Sequence, residues 1–421
     1  MTLDLIRIRQ QFPALAREEV FFDNPGGTQV ARQCLDRISA YLVNSNANHG
    51  GLFATSVRSD AVLEEAHQAM ADLYNACSAE EIIFGANMTT LTLHLSRSIS
   101  REWNAGDEIV VTRLDHDANV TPWILAAEDR GVKVNWVDFD VEDGTLSLDS
   151  LEKALQRKPK FLAVGYASNA LGTINPVGEI IQMAHKAGAT VFVDAVQYAA
   201  HGAIDVQELD CDYLVSSAYK YFGPHMGILY GKKEHLQRLY PYKVRPASNE
   251  LPSKWETGTQ NHEGIAGVLG AVEYFQWVGQ QFGQEHEQAL LAKGFSGRRL
   301  DLRKGLASIH AYEMELNQAL LIALQSIPGL RLYGQIDPSK LDQRVATFAF
   351  RLEGISPQIV AEELGNRGIN VWDGNYYAIN ATERLGVEES GGMVRVGAVH
   401  YNTMGEVEKL RQALLEISQT G

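Results

Sequence analysis

Between Glu81 and Ser216 the chain repeats one unit: a short run rich in Val, Ile and Phe, then a stretch with apolar residues at helical spacing. The runs are Glu81–Phe84, Glu108–Thr112, Lys133–Val137, Lys160–Tyr166, Thr190–Asp194 and Asp212–Ser216. Helical stretches include Asp60–Tyr74 before the first run, then Thr89–Arg101, Pro122–Arg130, Leu148–Gln156 and Gly178–Ala187. Strands that are apolar throughout must be covered on both faces, and intervening helices supply that cover. The pattern therefore predicts an α/β fold with a mostly parallel sheet. Met226–Tyr230 is expected to add an antiparallel edge strand.

The flanks read differently. The N-terminal stretch to about Ala16 is a short helix closed by Phe12-Pro13. An extended piece, Val20–Phe22, leads into the turn Asn24-Pro25-Gly26-Gly27 and a helix over Ala31–Val43. Composition shifts near residues 275–310, where Gln and charge replace the apolar runs. A long helix from about Ile309 to Ser326 then opens an α+β unit. Its strands are Gly329–Gly334, Val345–Arg351 and Met393–Val396, and its helices Ser356–Arg367 and Gly405–Ser418. The expected organisation is a helical segment (1–20) packing on the small domain, a large domain (21–280) and a small C-terminal α+β domain (281–421).

Composition excludes several function classes. The net charge of −15 repels nucleic acid and anionic membrane. No apolar run reaches the roughly 18 residues that a spanning helix needs. The charged N-terminus lacks the apolar core of a secretion signal. Cys34, Cys77 and Cys211 are scattered, with no CxxC pair, so neither a zinc ribbon nor a disulfide framework is indicated. A cytoplasmic protein without metal is expected.

Four polar points fall at strand ends, where open α/β sheets bind ligands. Asn87-Met88-Thr89-Thr90 enters a helix N-terminus, an anion site or an ordinary cap. Asp115-His116-Asp117 puts a histidine where it can stack on a ring, act as acid or base, or simply bond a carboxylate. Asp194 ends an apolar strand and needs a cationic partner or a capping role. Lys220 sits among Tyr219, Tyr221 and Phe222, either a nucleophilic amine or a snorkelling surface lysine. Each has a plain structural alternative. Together they supply what pyridoxal phosphate requires: phosphate donors, a stacking group, an acid for the ring nitrogen and a Schiff-base lysine.

Their order and spacing resemble the class V aminotransferase group of fold-type I pyridoxal-phosphate enzymes, especially the cysteine desulfurases and their lyase relatives. The resemblance runs from about Phe21 to Thr403. It rests on Asn46-Ala47-Asn48-His49-Gly50, Thr89-Thr90, Asp115 to Asn119, Ser168 to Pro176, Asp194 to Gln197, the Lys220 segment, Glu256-Thr257-Gly258-Thr259, and Arg395 through Thr403. It implies a large domain with a mostly parallel seven-stranded sheet, and a homodimer with shared sites. It implies Lys220 as Schiff base and proton shuttle, Asp194 at the pyridinium nitrogen and His116 on the ring. Asn169 and Gln197 fall near the phenolic oxygen. Thr89, Thr90, Ser217 and Tyr219 fall near the phosphate, with Thr259 reaching the neighbouring subunit's phosphate. Arg395 would clamp the substrate carboxylate, with Asn169, Tyr377 and His49 as further substrate contacts.

One departure bears on function. Desulfurases of this group carry a nucleophilic cysteine on a loop resembling Arg-Thr-Gly-His-His-Cys-Ala. Here the stretch is Trp372-Asp373-Gly374-Asn375-Tyr376-Tyr377-Ala378, with Tyr377 in the cysteine's place and Trp372 in the arginine's. A phenol cannot form a persulfide. The expectation is β-elimination from L-cysteine, L-cystine or a related amino acid, giving pyruvate and ammonia. The alternatives are transamination or epimerisation of another amino acid. An idle, partner-binding protein is disfavoured by the intact Lys220, Asp194, His116 and Arg395.

Overall fold

A computed structural model describes residues 3–419. Met1 and Thr2, in the expected segment 1–20, and Thr420 and Gly421, in the expected domain 281–421, lie outside the described residues. Among the described residues thirteen strands run in chain order: β1 Val20–Phe21, β2 Ile82–Gly85, β3 Glu108–Thr112, β4 Lys133–Val137, β5 Phe161–Gly165, β6 Thr190–Asp194, β7 Tyr213–Ser217, β8 Gly227–Gly231, β9 Leu330–Tyr333, β10 Thr347–Leu352, β11 Ile369–Asn370, β12 Trp372–Gly374 and β13 Met393–Gly397.

The main sheet has seven strands in the order β2-β8-β7-β6-β5-β3-β4. β3 to β7 are mutually parallel, and β8 is antiparallel to both of its neighbours. Alternation along each strand sends side chains to two separate apolar layers. Val110, Leu162, Val191, Val193 and Leu214 pack on one face. Ile109, Val111, Phe161, Phe192 and Val215 pack on the other, around Trp123 and Leu95. Burial on both faces is why these strands read as continuous apolar runs. β8 is antiparallel as expected but is not an edge. It folds back on β7 and leaves its outer side to β2, which becomes the edge strand.

The C-terminal sheet is antiparallel, in the order β12-β13-β10-β9, and β1 pairs in parallel with β11. β11 and β12 were not expected. They are two and three residues long, too short to show a period. Two helices also depart from expectation. His262–Phe282 is helical despite four glycines, a composition that lowers helix propensity. Two of those glycines are close approaches: a Cβ at Gly270 would lie 2.5 Å from the Gln33 carbonyl, and one at Gly279 1.8 Å from that of Asp301. The long helix begins at Gly297, not near Ile309. The basic run 298–304 is its first part, held by Arg299–Asp72 at 3.0 Å, Arg303–Asp205 at 2.9 Å and Lys304–Glu287 at 2.6 Å.

That long helix carries the buried Glu313 to the junction of the two sheets. One carboxylate oxygen pairs with His201 Nδ1 at 2.7 Å, and the other accepts the His400 N–H at 2.9 Å. His400 Nε2 in turn meets the Tyr274 hydroxyl at 2.5 Å. Burial opposes ionisation of Glu313. The His201 imidazole and the hydrogen bonds from His201 and His400 outweigh it and hold the carboxyl at about 2. Its contribution is therefore present above the ordinary value of 4.5 and lost as pH falls toward 2. Glu313→Ala is expected to cost about 3–5 kcal/mol in urea unfolding. Glu313→Gln, which keeps an acceptor for the His400 N–H, should cost less. Equal losses would assign the effect to packing.

Candidate active site

The carboxyl ends of β3, β5, β6 and β7 deliver the functional side chains to one place. His116 and Asp115 follow β3, Asn169 follows β5, Asp194 ends β6, and Ser217 ends β7, with Lys220 on the turn beyond. Lys220, Asp194, His116, Asn169, Gln197, Ser217, Tyr219 and Thr89 all line one inner recess. That recess opens into a cleft of about 1050 Å³, whose far wall is Arg395 of β13 and the segment Trp372–Tyr377.

Charge in this recess is set by burial. Desolvation, reinforced by the Arg395 cation and opposed by Asp194, brings the Lys220 amine down to about 7. Its Nζ donates to the Pro25 carbonyl and lies 5.0 Å from the centre of the Tyr219 ring. Burial lifts Asp194 to about 6, against the Val196 N–H and Lys220. Beneath it Asp115 is fully enclosed and raised well above the carboxylate range, by burial and by the Asp194 charge. Asp115 accepts the Gly165 N–H at 2.7 Å and an Asn119 amide N–H at 3.0 Å. Burial, Lys220 and Arg395 together lower His116 to about 4, so its ring is neutral at pH 7. Its Nδ1 accepts the Ala118 N–H, which leaves the proton on Nε2.

Arg395 is 4% exposed. Its Nη1 donates to the Asn169 carbonyl at 2.8 Å and its guanidinium lies 4.3 Å from the Tyr376 ring centre. Among the described residues its Nε has no hydrogen-bond partner, and neither does Asn169 Oδ1. Buried polar atoms left unpaired in a cleft are places for a ligand's polar atoms.

The cleft wall is held in an uncommon backbone conformation. Tyr376 and Tyr377 have φ of 55° and 59°, each costing about 1–3 kcal/mol for a non-glycine residue. Asn169 Nδ2 donates to the Tyr376 carbonyl at 2.8 Å, and the Asp117 N–H to that of Tyr377 at 2.7 Å. The Tyr377 N–H donates to Asn375 Oδ1 at 3.1 Å. The Tyr377 ring is 73% exposed and stacks on His116, centroids 5.5 Å apart. Gly392 supports the same wall. A Cβ there would sit 2.1 Å from the Gly374 carbonyl, and its φ is +69°.

These features suit pyridoxal phosphate. Lys220 is an amine that burial brings down to about 7, and Asp194 lines the same recess. The recess carries the hydroxyls of Ser217 and Thr89 near the N-terminus of helix Met88–Ile99. Three expected residues lie elsewhere. Thr90 does not line the recess; it is exposed and its N–H caps onto Asn87 Oδ1, because successive helical side chains diverge in direction. His49 lines a separate cavity of about 710 Å³ with Gly258 and Gln260, and that cavity shares no lining residue with the cleft. Thr259, beside Gly258, is exposed. Sequence reading passed over Asp23, half-buried against Arg395, and the cleft carboxylates Asp373 and Glu388. None of these carries a motif; the pairing of β12 with β13, which sets Trp372 opposite Arg395 and Asp373 opposite Val394, brings the β12 segment to the cleft.

If Lys220 is neutral near pH 7, cofactor uptake by the cofactor-free protein should speed up through about pH 7 and level off above it. The check is the growth of Schiff-base absorbance on mixing with pyridoxal phosphate across pH 5–10. A rate still climbing at pH 10 would mean an ordinary lysine. Lys220→Ala should show no such absorbance.

Comparison with known proteins places these residues in context. The sequence model of the class V aminotransferases matches residues 20–297 and 298–410. A cysteine desulfurase of Synechococcus elongatus is 34% identical over 99% of this chain, which spans 64% of that longer protein. An aminotransferase-like protein of Gibberella zeae is 32% identical, covering 97% of this chain and 96% of its own. Among solved structures, an apo cysteine desulfurase from Thermococcus onnurineus superposes with a TM-score of 0.87 at 26% identity, covering 100% of this chain and 99% of its own. A cysteine desulfurase of Escherichia coli gives 0.83 at 26% identity, covering 99% and 100%.

Proposed function

We propose a carbon–sulfur lyase reaction for this chain, which belongs to the class V aminotransferase family and is a pyridoxal-phosphate-dependent enzyme akin to the cysteine desulfurases. In this reading a sulfur-bearing amino acid such as L-cysteine or L-cystine loses its β-substituent, leaving pyruvate and ammonia. The observation that carries it is the absence of a thiol in the cleft. Among the described residues no cysteine lines it. Cys34 and Cys211 are buried elsewhere, with Cys34 pushed by burial to about 12, and Cys77 is exposed. Tyr377 occupies the place of the sulfur acceptor, and a phenol offers no route to a persulfide.

Residues of the recess would hold the cofactor as follows. Asp194 would hold a proton at the ring nitrogen, and His116 would pack on the ring. Asn169 and Gln197 would serve the phenolic oxygen, and Thr89, Ser217 and Tyr219 the phosphate. When bound, pyridoxal phosphate supplies an electron sink for the pair left at the substrate's α-carbon. Arg395 orients the substrate through its carboxylate, donating from the free Nε. Lys220 removes the α-proton, which an amine titrating near 7 does well at neutral pH. The departing sulfur then takes a proton. Arg395→Ala should reduce kcat/KM by about 2–5 kcal/mol in transition-state terms.

The decisive test incubates the cofactor-loaded protein with L-cysteine and L-cystine and assays pyruvate and alanine separately. Pyruvate, falling about 10²–10⁴-fold in Lys220→Ala, is the expected result. Alanine with sulfane sulfur would mark a desulfurase instead. Products appearing only with an added keto acid would mark a transaminase.

A homodimer is part of the same reading. His49 and Thr259 stand away from the chain's own cleft, which suits contacts made to a second copy. Sedimentation equilibrium should give twice the 46.5 kDa chain mass; a monomer would remove this part of the reading.

A further inference from the structure

Two consecutive tyrosines in the left-handed region carry a backbone cost that carbon–sulfur cleavage alone does not account for. Tyr376 and Tyr377 have φ of 55° and 59°, where a side chain is strained. The Tyr376 side chain is anchored: it is buried, its hydroxyl donates to the Met393 carbonyl, and the Arg395 guanidinium lies over its ring. Tyr377 has no such anchor. It is 73% exposed and belongs to neither apolar layer, and among the described residues its hydroxyl has no hydrogen bond. Yet its backbone is held on three sides. The Asp117 N–H donates to the Tyr377 carbonyl at 2.7 Å, the Asn169 amide donates to the Tyr376 carbonyl at 2.8 Å, and Asn375 Oδ1 accepts the Tyr377 N–H at 3.1 Å. Fixing the main chain of an exposed residue so closely fixes where its ring begins.

The ring goes onto His116. The two planes are 16° from parallel, with centroids 5.5 Å apart. Both rings are tied to one short turn: Asp117 donates its N–H to Tyr377, and Ala118 donates its own to His116 Nδ1 at 3.0 Å. Burial, Lys220 and Arg395 keep the imidazole neutral at pH 7, so the contact is ring on ring rather than cation on ring. The two cavities show what the stack is for. His116 lines both the inner recess and the outer cleft, whereas Tyr377 lines the outer cleft but not the recess. The imidazole is thus a partition, backed by the phenol ring from the cleft side and still presenting surface to the recess. A single hydrogen bond at Nδ1 sets the tautomer but leaves the ring torsion soft, because such terminal torsions are broad. A stacked aromatic ring stiffens it and keeps water off the backed side.

We propose that Tyr377 is a positioning residue, whose ring backs His116 from the cleft side and holds the imidazole in place for the cofactor ring. The left-handed backbone at 376–377 serves to put it there. The proposal rests on the placement of His116 against the cofactor, not on carbon–sulfur cleavage. It gives Tyr377 a role that uses its ring and not its hydroxyl.

The test needs no turnover. Cofactor-free protein is titrated with pyridoxal phosphate, and Schiff-base absorbance reports binding. Tyr377→Ala should raise the dissociation constant about three- to tenfold, the fold-change that matches loss of one aromatic pair. Tyr377→Phe, which keeps the ring, should stay within about twofold of wild type. Tyr377→Gly, which takes the left-handed φ freely, should weaken binding as alanine does. In a His116→Ala background, Tyr377→Ala should add no further loss, as expected of a residue that acts through another. The circular dichroism of the bound cofactor gives a second reading: it should fall in Tyr377→Ala and persist in Tyr377→Phe. Wild-type affinity in Tyr377→Ala overturns the proposal. So does a loss in Tyr377→Phe equal to alanine's, which assigns the effect to the hydroxyl. A loss in alanine but not in glycine assigns it to the backbone and overturns the proposal too, as do losses that add in the double variant. Undiminished affinity in His116→Ala removes the placement of His116, and the proposal with it. Carbon–sulfur cleavage stands or falls separately, on the pyruvate assay.

Discussion

Lys220 and Asp194 share one enclosed recess, Arg395 is buried on the wall of the adjoining cleft, and their burial governs the rest of the site. In water none of the three would be unusual. Enclosed together, the lysine gives up its proton near neutrality, the aspartate keeps its own longer, and the arginine is left with an unpaired Nε. The architecture that makes this possible is simple. Parallel strands covered on both faces end at the same level, and their terminal residues have nowhere to go but toward one another. Asp115 extends the effect a layer deeper, as a carboxyl raised by burial and by Asp194 behind the histidine turn.

The inner half of this recess was legible from sequence because strand ends are legible. Apolar runs on β3, β5, β6 and β7 announced their own boundaries, and a histidine, an asparagine, an aspartate and a lysine stood just past them. The outer half was not. Asp373 and Glu388 are ordinary acidic residues until β12 pairs with β13 and Gly392 lets the turn before β13 press against Gly374. A three-residue strand has no period to read. The glycine-rich helix His262–Phe282 was hidden for a related reason: its glycines serve close backbone packing and weaken the local helical signal. β8 was misplaced because a hairpin return gives no hint that a strand from earlier in the chain will pair outside it. Thr89 and Thr90 show the limit at single-residue scale, since one step along a helix turns a side chain away from the cavity.

Electrostatically the cleft mixes both signs. Arg395 stands across the β12–β13 pairing from Trp372, and Asp117, Asp373 and Glu388 line the same cleft. His116, neutral at pH 7, adds no charge of its own.

The left-handed pair Tyr376 and Tyr377 has a consequence for how this scaffold changes occupation over evolutionary time. Its main-chain oxygens are gripped from the opposite side of the cleft, by the amide of Asn169 and the backbone of Asp117. A thiol introduced at position 377 would inherit that grip along with the torsion angle. Its Cβ would stay where the main chain fixes it, so rotation about the side-chain bonds alone could move the sulfur. Exchanging the side chain at 377 thus leaves the left-handed backbone, and its cost, in place.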